Sequence, residues 1–69
     1  MRTNSLLAMD LANLIFTKWG CRAEDINLLS LKEAAQEVIK SALAAGKSVQ
    51  DGVTADTVMA ETLKTYSTR

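Results

Sequence analysis

Histidine and proline are both missing from this chain, and Cys21 is its only cysteine. General acid–base chemistry near neutral pH rests most often on an imidazole, so the commonest catalytic arrangements are closed to it. A structural zinc site needs a full tetrahedral set of nitrogen and sulfur ligands, and a lone thiol cannot supply one. Nor can it form an internal disulfide. Aromatic residues are scarce: Phe16, Trp19 and Tyr66 are the whole complement. Charge of one sign is lacking as well, since eight basic side chains are balanced by eight acidic ones. A nucleic-acid-binding domain usually gathers a basic excess on one face. Here Arg2, Lys18, Arg22, Lys32, Lys40, Lys47, Lys64 and Arg69 are scattered, most with an acid close by in sequence. No direct nucleic-acid partner, cofactor, metal or enzyme activity is expected.

What the chain has in excess is apolar surface near its beginning. Between Ser5 and Trp19, Leu6, Leu7, Met9, Leu11, Ala12, Leu14, Ile15, Phe16 and Trp19 leave only Asp10, Asn13 and Thr17 as a thin polar stripe at helical spacing. A helix that is apolar all round must be buried all round. The 69 residues make one domain, and a domain of this size buries only about 60% of the surface its unfolded chain exposes. Small domains compensate with disulfides, a metal or oligomerisation, and the composition leaves oligomerisation. The apolar run is too short to cross a bilayer, which takes roughly 20 apolar residues. Asp10 and Asn13 interrupt it and no small-x-small cleavage site follows, against a secretory signal. A cytoplasmic protein is expected, since a single cysteine is compatible with a reducing compartment.

The hydrophobic spacing predicts an all-α chain of three helices, over about residues 5–19, 31–51 and 55–66, forming an intertwined homodimer. The first helix can be capped by any of Thr3 to Ser5 and ends at Gly20, a residue that takes the left-handed conformation readily. Residues 21–29 form a connection with room for one helical turn. Ser30-Leu31-Lys32-Glu33 reads as a capping box that starts the second helix. Leu31, Ala35, Val38, Ala42 and Ala45 then make one stripe, widened by Ala34, Ile39 and Leu43. Val49 falls on the same stripe, so the helix is expected to run past Gly46. Thr54 reads as the cap of the third helix, with Val53 and Val58 as a hydrophobic staple. No stretch alternates apolar and polar residues as a strand would.

The alanines of the second helix, Ala34, Ala35, Ala42, Ala44 and Ala45, are expected to form a groove for larger side chains from the first. A closed two-fold dimer is the commonest oligomer, and Leu7, Leu11, Leu14, Ile15, Val38 and Ala42 are the expected interface. Glu33 and Glu37 lie one turn apart on a solvated face among lysines, a pattern of solubility and not of catalysis. Cys21 has no base to activate it. The expected partner-facing surface is Trp19 with Glu24, Asp25, Ile26 and Leu28, Leu29 belonging to the same cluster: an apolar cluster beside acids suits a basic, partly apolar protein face. The alternative is that Ile26, Leu28 and Leu29 cap the dimer core and Trp19 lies in the core of one copy. Tryptophan is also the residue type in which interfaces most often concentrate their energy. A helix-turn-helix would need basic or polar groups on its reading helix, whereas the third helix offers Asp56 and Glu61 against Lys64.

Two resemblances give these expectations a direction. The stretch Gly52-Val-Thr-Ala-Asp-Thr-Val-Met-Ala-Glu-Thr-Leu63 resembles the G-V-x-S-x-E-E-V-x-A-E-L segment of some bacterial antitoxins, which implies binding to a toxin-type partner. Length, neutrality and helical content resemble those of the small proteins of Pseudomonas phages that disarm host regulators, among them quorum-sensing anti-activators. That likeness implies a dimeric helical inhibitor of the DNA-binding domain of a transcriptional activator and of a pilus-assembly ATPase. It carries no site residues with it.

Overall fold

Thr3 begins the ordered structure by an economical route. Its backbone is extended and its hydroxyl accepts from the Leu6 N–H at 3.3 Å, which satisfies one of the donors a helix start leaves unpaired. In the computed structural model, which describes residues 1–66, the chain then forms α1 (Asn4–Trp19), a single 3₁₀ turn (Ala23–Asp25), α2 (Leu28–Ala44) and α3 (Ala55–Tyr66). Gly20 closes α1 at φ 66°, and its N–H donates to the Phe16 carbonyl at 2.9 Å. The first and third helices stand where the spacing places them.

The second helix departs from expectation at both ends. It starts at Leu28 and not at the Ser30 box, because Asn27 caps it: the Asn27 carboxamide oxygen accepts from the Leu29 N–H at 2.8 Å. Asparagine and serine are about equal as caps, and the earlier start adds a turn of helix. The Leu31 N–H already bonds to the Asn27 carbonyl, so Ser30 lies inside the first turn. At the other end the helix stops at Ala44 and does not continue to residue 51. Gly46 turns to φ 79°; its N–H donates to Leu43 and the Lys47 N–H to Ala42, both at 3.0 Å. This pair of bonds is the Schellman closure. A glycine free to adopt that conformation ends the helix although Val49 would have fitted the stripe. Ala44 and Ala45, expected in the alanine groove, are consequently exposed.

Val49 reaches the core by another path. Residues 48–50 run extended beside Arg2: the Arg2 N–H donates to the Ser48 carbonyl at 2.7 Å, and the Gln50 N–H to the Arg2 carbonyl at 2.8 Å. This isolated parallel bridge is the one strand-like pairing among the described residues. Thr54 then caps α3 reciprocally with Thr57. The Thr57 N–H donates to the Thr54 hydroxyl at 3.2 Å, and the Thr54 N–H to the Thr57 hydroxyl at 2.8 Å. Threonine here takes the role glutamate usually plays in such a box. The Thr57 hydroxyl also lies 2.8 Å from Asn4 Oδ1, tying the start of α3 to the start of α1.

The core is built from one face of each helix. Leu7, Leu11 and Ile15 of α1, Leu31 of α2, and Val58 and Thr62 of α3 are fully buried. Ala34, Ala35 and Ala42 give α2 the low ridge on which the larger side chains sit. Thr62 is tolerated inside because its hydroxyl donates to the Val58 carbonyl one turn back, at 2.8 Å. Of the six residues expected between two copies, Leu7, Leu11, Ile15, Val38 and Ala42 are buried within one copy, and Leu14 packs against the same cluster.

Candidate interaction surface

The connection between α1 and α2 takes its shape from what its residues bury. Ala23 is buried, and Cys21 and Ile26 pack against the core. The intervening 3₁₀ turn therefore holds its acids outward or sideways. Asp25 is exposed. Glu24 is mostly covered and lies 3.7 Å from the Arg22 guanidinium, so it is an ion-pair partner of its own connection. Leu28 and Leu29 open α2 ahead of Leu31, the first residue turned inward. They project into solvent, 65% and 68% exposed.

Of the five residues expected to face a partner, the structure thus exposes Asp25 and Leu28 and leaves Trp19 45% exposed. Ile26 is half-buried as part of the core margin, and Glu24 is the least available. Trp19 closes α1, Asp25 ends the 3₁₀ turn and Leu28 opens α2, so all border the same connection. Leu29 belongs with them. Phe16, 70% exposed, is the largest apolar group outside the expected sites. Its position seven residues beyond Met9, on the side opposite Leu11, is the signal that marks it.

The remaining chemistry is sparse. Lys32–Asp56 at 3.8 Å is an exposed ion pair worth about 0–1 kcal/mol, and Arg2–Asp10 at 3.6 Å is half-buried. A groove of about 290 Å³ lies between α1 and α2 over Leu14 and Val38, with Arg2, Asp10, Glu37 and Lys47 around its rim. No group of histidine, cysteine, aspartate and glutamate able to hold a metal occurs among the described residues. Among the described residues no helix is long and apolar enough to cross a membrane. A helix-turn-helix joins its helices by a turn of about 3–4 residues, whereas residues 45–54 separate α2 from α3 and are engaged with Arg2. Asp56 pairs with Lys32, and Arg69 lies outside the described residues. Within the antitoxin-like segment, Val58 and Thr62 are buried and Thr54 and Thr57 form the cap of α3.

Comparison with known proteins finds no protein-family model, curated protein or solved structure that matches the chain. The surface itself has to carry the functional reading.

Proposed function

We propose that this chain is a non-catalytic, homodimeric protein-binding module that inhibits a host protein by covering one of its working surfaces. The supporting observation is the pair Leu28 and Leu29, held more than half exposed by a capped helix start, with the exposed Asp25 three residues before them in the connection. Large apolar side chains exposed side by side cost solvation without a partner. An acid at their edge selects a partner face that is apolar and basic together, the chemistry of a DNA-reading surface. The partner we favour is the DNA-binding domain of a transcriptional activator, in the manner of the phage quorum-sensing anti-activators that the chain resembles in size, neutrality and helical content. A pilus-assembly ATPase is a second target on the same likeness. The host cytoplasm is the setting this reading requires.

Exchange of first helices between two copies would rebuild the same core with Leu7, Leu11, Leu14 and Ile15 supplied by the other chain. One chain completes that core by itself, so burial does not call for the exchange.

Binding to a purified quorum-sensing activator DNA-binding domain tests the proposal. The wild-type chain is expected to bind and to release the domain from its duplex. The double variant Leu28→Asp, Leu29→Asp is expected to lose binding by more than about 30-fold, with a melting curve close to wild type because both side chains lie outside the core. Absence of wild-type binding to the domain would overturn the activator assignment. A salt-steep mobility shift of duplex by the chain alone would move it to the DNA-binding class.

A further inference from the structure

The outward face of α1 carries a second apolar seam that a single copy leaves uncovered. Met9, Ala12, Phe16 and Trp19 recur at i, i+3, i+7 and i+10, the spacing that lines side chains along one side of a helix for a partner helix. Met9 is 43% exposed, Phe16 and Trp19 stand out as given above, and Ala12 is half-buried. The inward seam of Leu7, Leu11 and Ile15 runs along the other side. α1 thus has two seams, and the fold of one chain fills one of them.

The outward seam reads the same from either end. Rotated end for end about the level of Leu14, Met9 falls on the position of Trp19, and Ala12 on that of Phe16. A two-fold interface requires such self-complementarity, since each patch must meet its own copy. Side chains in an antiparallel helix pair would then stack in mixed layers. Each Phe16, the most exposed aromatic, would meet the single methyl of Ala12. Each Trp19 would meet a Met9, a pairing in which thioether and ring attract. The Lys18 ammonium lies 4.9 Å from the Trp19 ring centroid, within cation–π range.

Charge favours the same occupant. Met9, Ala12 and Phe16 and their exposed flank, Ser5, Leu6 and Asn13, hold no ionisable group; Asp10 is turned toward Arg2, and the one charge at the seam, Lys18, lies over the Trp19 ring at its end. An antiparallel pair sets the two Lys18 side chains at opposite ends of the seam, so two copies meet here without like-charge repulsion, while a strongly acidic or basic partner finds little along the seam to pair with. With aromatic side chains of about 150–250 Å², the exposed parts of this face offer roughly 400–500 Å² per copy. A pair would bury about 800–1,000 Å², below the roughly 1,200–2,000 Å² of stable interfaces and in the range of weak, transient ones, so the association expected is no tighter than micromolar.

We infer that this face forms an antiparallel α1–α1 homodimer, with Ala12 against the second copy's Phe16 and Met9 against its Trp19. It rests on the homodimer reading above for stoichiometry alone and adds the face and the register.

Sedimentation equilibrium of the full chain under reducing conditions, with circular dichroism in parallel, decides it. The wild type is expected to be dimeric at tens of micromolar. Phe16→Glu and Ala12→Lys are each expected to be helical and monomeric, with dissociation constants raised at least about 30-fold. The double variant Ala12→Lys, Phe16→Glu is expected to dimerise again, because the antiparallel register sets each lysine against a glutamate. A double variant that stays monomeric refutes the register, since a parallel pair would set like against like. A Phe16→Glu dimer refutes the face while the homodimer reading stands. A wild type monomeric at hundreds of micromolar removes both. Should Phe16→Glu lose its helical signal, Phe16→Ala reads the same interface without a new charge.

Discussion

Replacing Thr57 by valine isolates one hydroxyl that serves two elements. The shape of the side chain is conserved, so no cavity forms and the change reads out hydrogen bonding. The Thr54 N–H, 2.8 Å from that hydroxyl, loses its acceptor, and Asn4 Oδ1 at 2.8 Å and the Thr54 carbonyl at 2.9 Å lose the single hydroxyl proton they share. Loss of a cap partner costs about 1 kcal/mol, and loss of a partly buried side-chain hydrogen bond about another 1 kcal/mol. The sum of about 2 kcal/mol is large against the roughly 5–15 kcal/mol that a small domain has in total. In a domain of this size it lowers Tm by roughly 8–16 °C. Urea denaturation followed by circular dichroism, at one fixed protein concentration, measures it. A double-mutant cycle with Asn4→Ala separates the two contributions: a coupling near 1 kcal/mol belongs to the α1–α3 tie. Thr65→Val is the control, because Thr65 is exposed and its hydroxyl donates to the Glu61 carboxylate within the same helix. A Thr57→Val loss below about 0.5 kcal/mol, or a cycle without coupling, refutes the assignment.

Two further substitutions check the limits of α2. Asn27→Ala is expected to cost about 1 kcal/mol, while Ser30→Ala, inside the first turn, is expected to be neutral or slightly stabilising because alanine is the better helix former; reversed results in the same denaturation assay would return the helix start to Ser30. Gly46→Ala places a Cβ in open space but at φ 79°, so a loss of about 1–2 kcal/mol is expected from backbone strain alone, and a gain in stability would mean that the helix runs on.

Much of the architecture is legible in residue order. Gly20 closes α1 and Thr54 opens α3 where local chemistry puts them, while the three adjacent candidates Thr3, Asn4 and Ser5 fix the start of α1 to within a turn, Thr3 being the one that caps. Around α2 rivals do exist. Asn27 and Ser30 are equivalent on local grounds, and only the packing of Ala23 and Ile26 beneath the turn sets which one begins the helix. Val49 fits the helical stripe and also fits a core position reached from an extended segment. The choice depends on Arg2, far off in sequence, which offers its backbone to residues 48–50. A pairing that involves one residue on one side leaves no alternating pattern to detect. On the surface, the apolar excess of α1 was evident from composition. Its division was not: which residues face inward is fixed by the alanine ridge of α2 and by Val58 and Thr62 of α3. That division assigns Leu7, Leu11 and Ile15 to the interior and Phe16 to the outside. The exposure of Leu28 and Leu29 follows from the earlier helix start, since a helix begun at Ser30 would have left both in the connection.

The bridge between Arg2 and Val49 turns an otherwise slack link into a strut. Because the strand-like stitch joins the first residues to the passage between α2 and α3, that passage cannot swing without unfastening the opening turn of α1. Grafting a longer loop there would therefore loosen a helix some forty positions upstream, and the molecule answers to such an edit as one body.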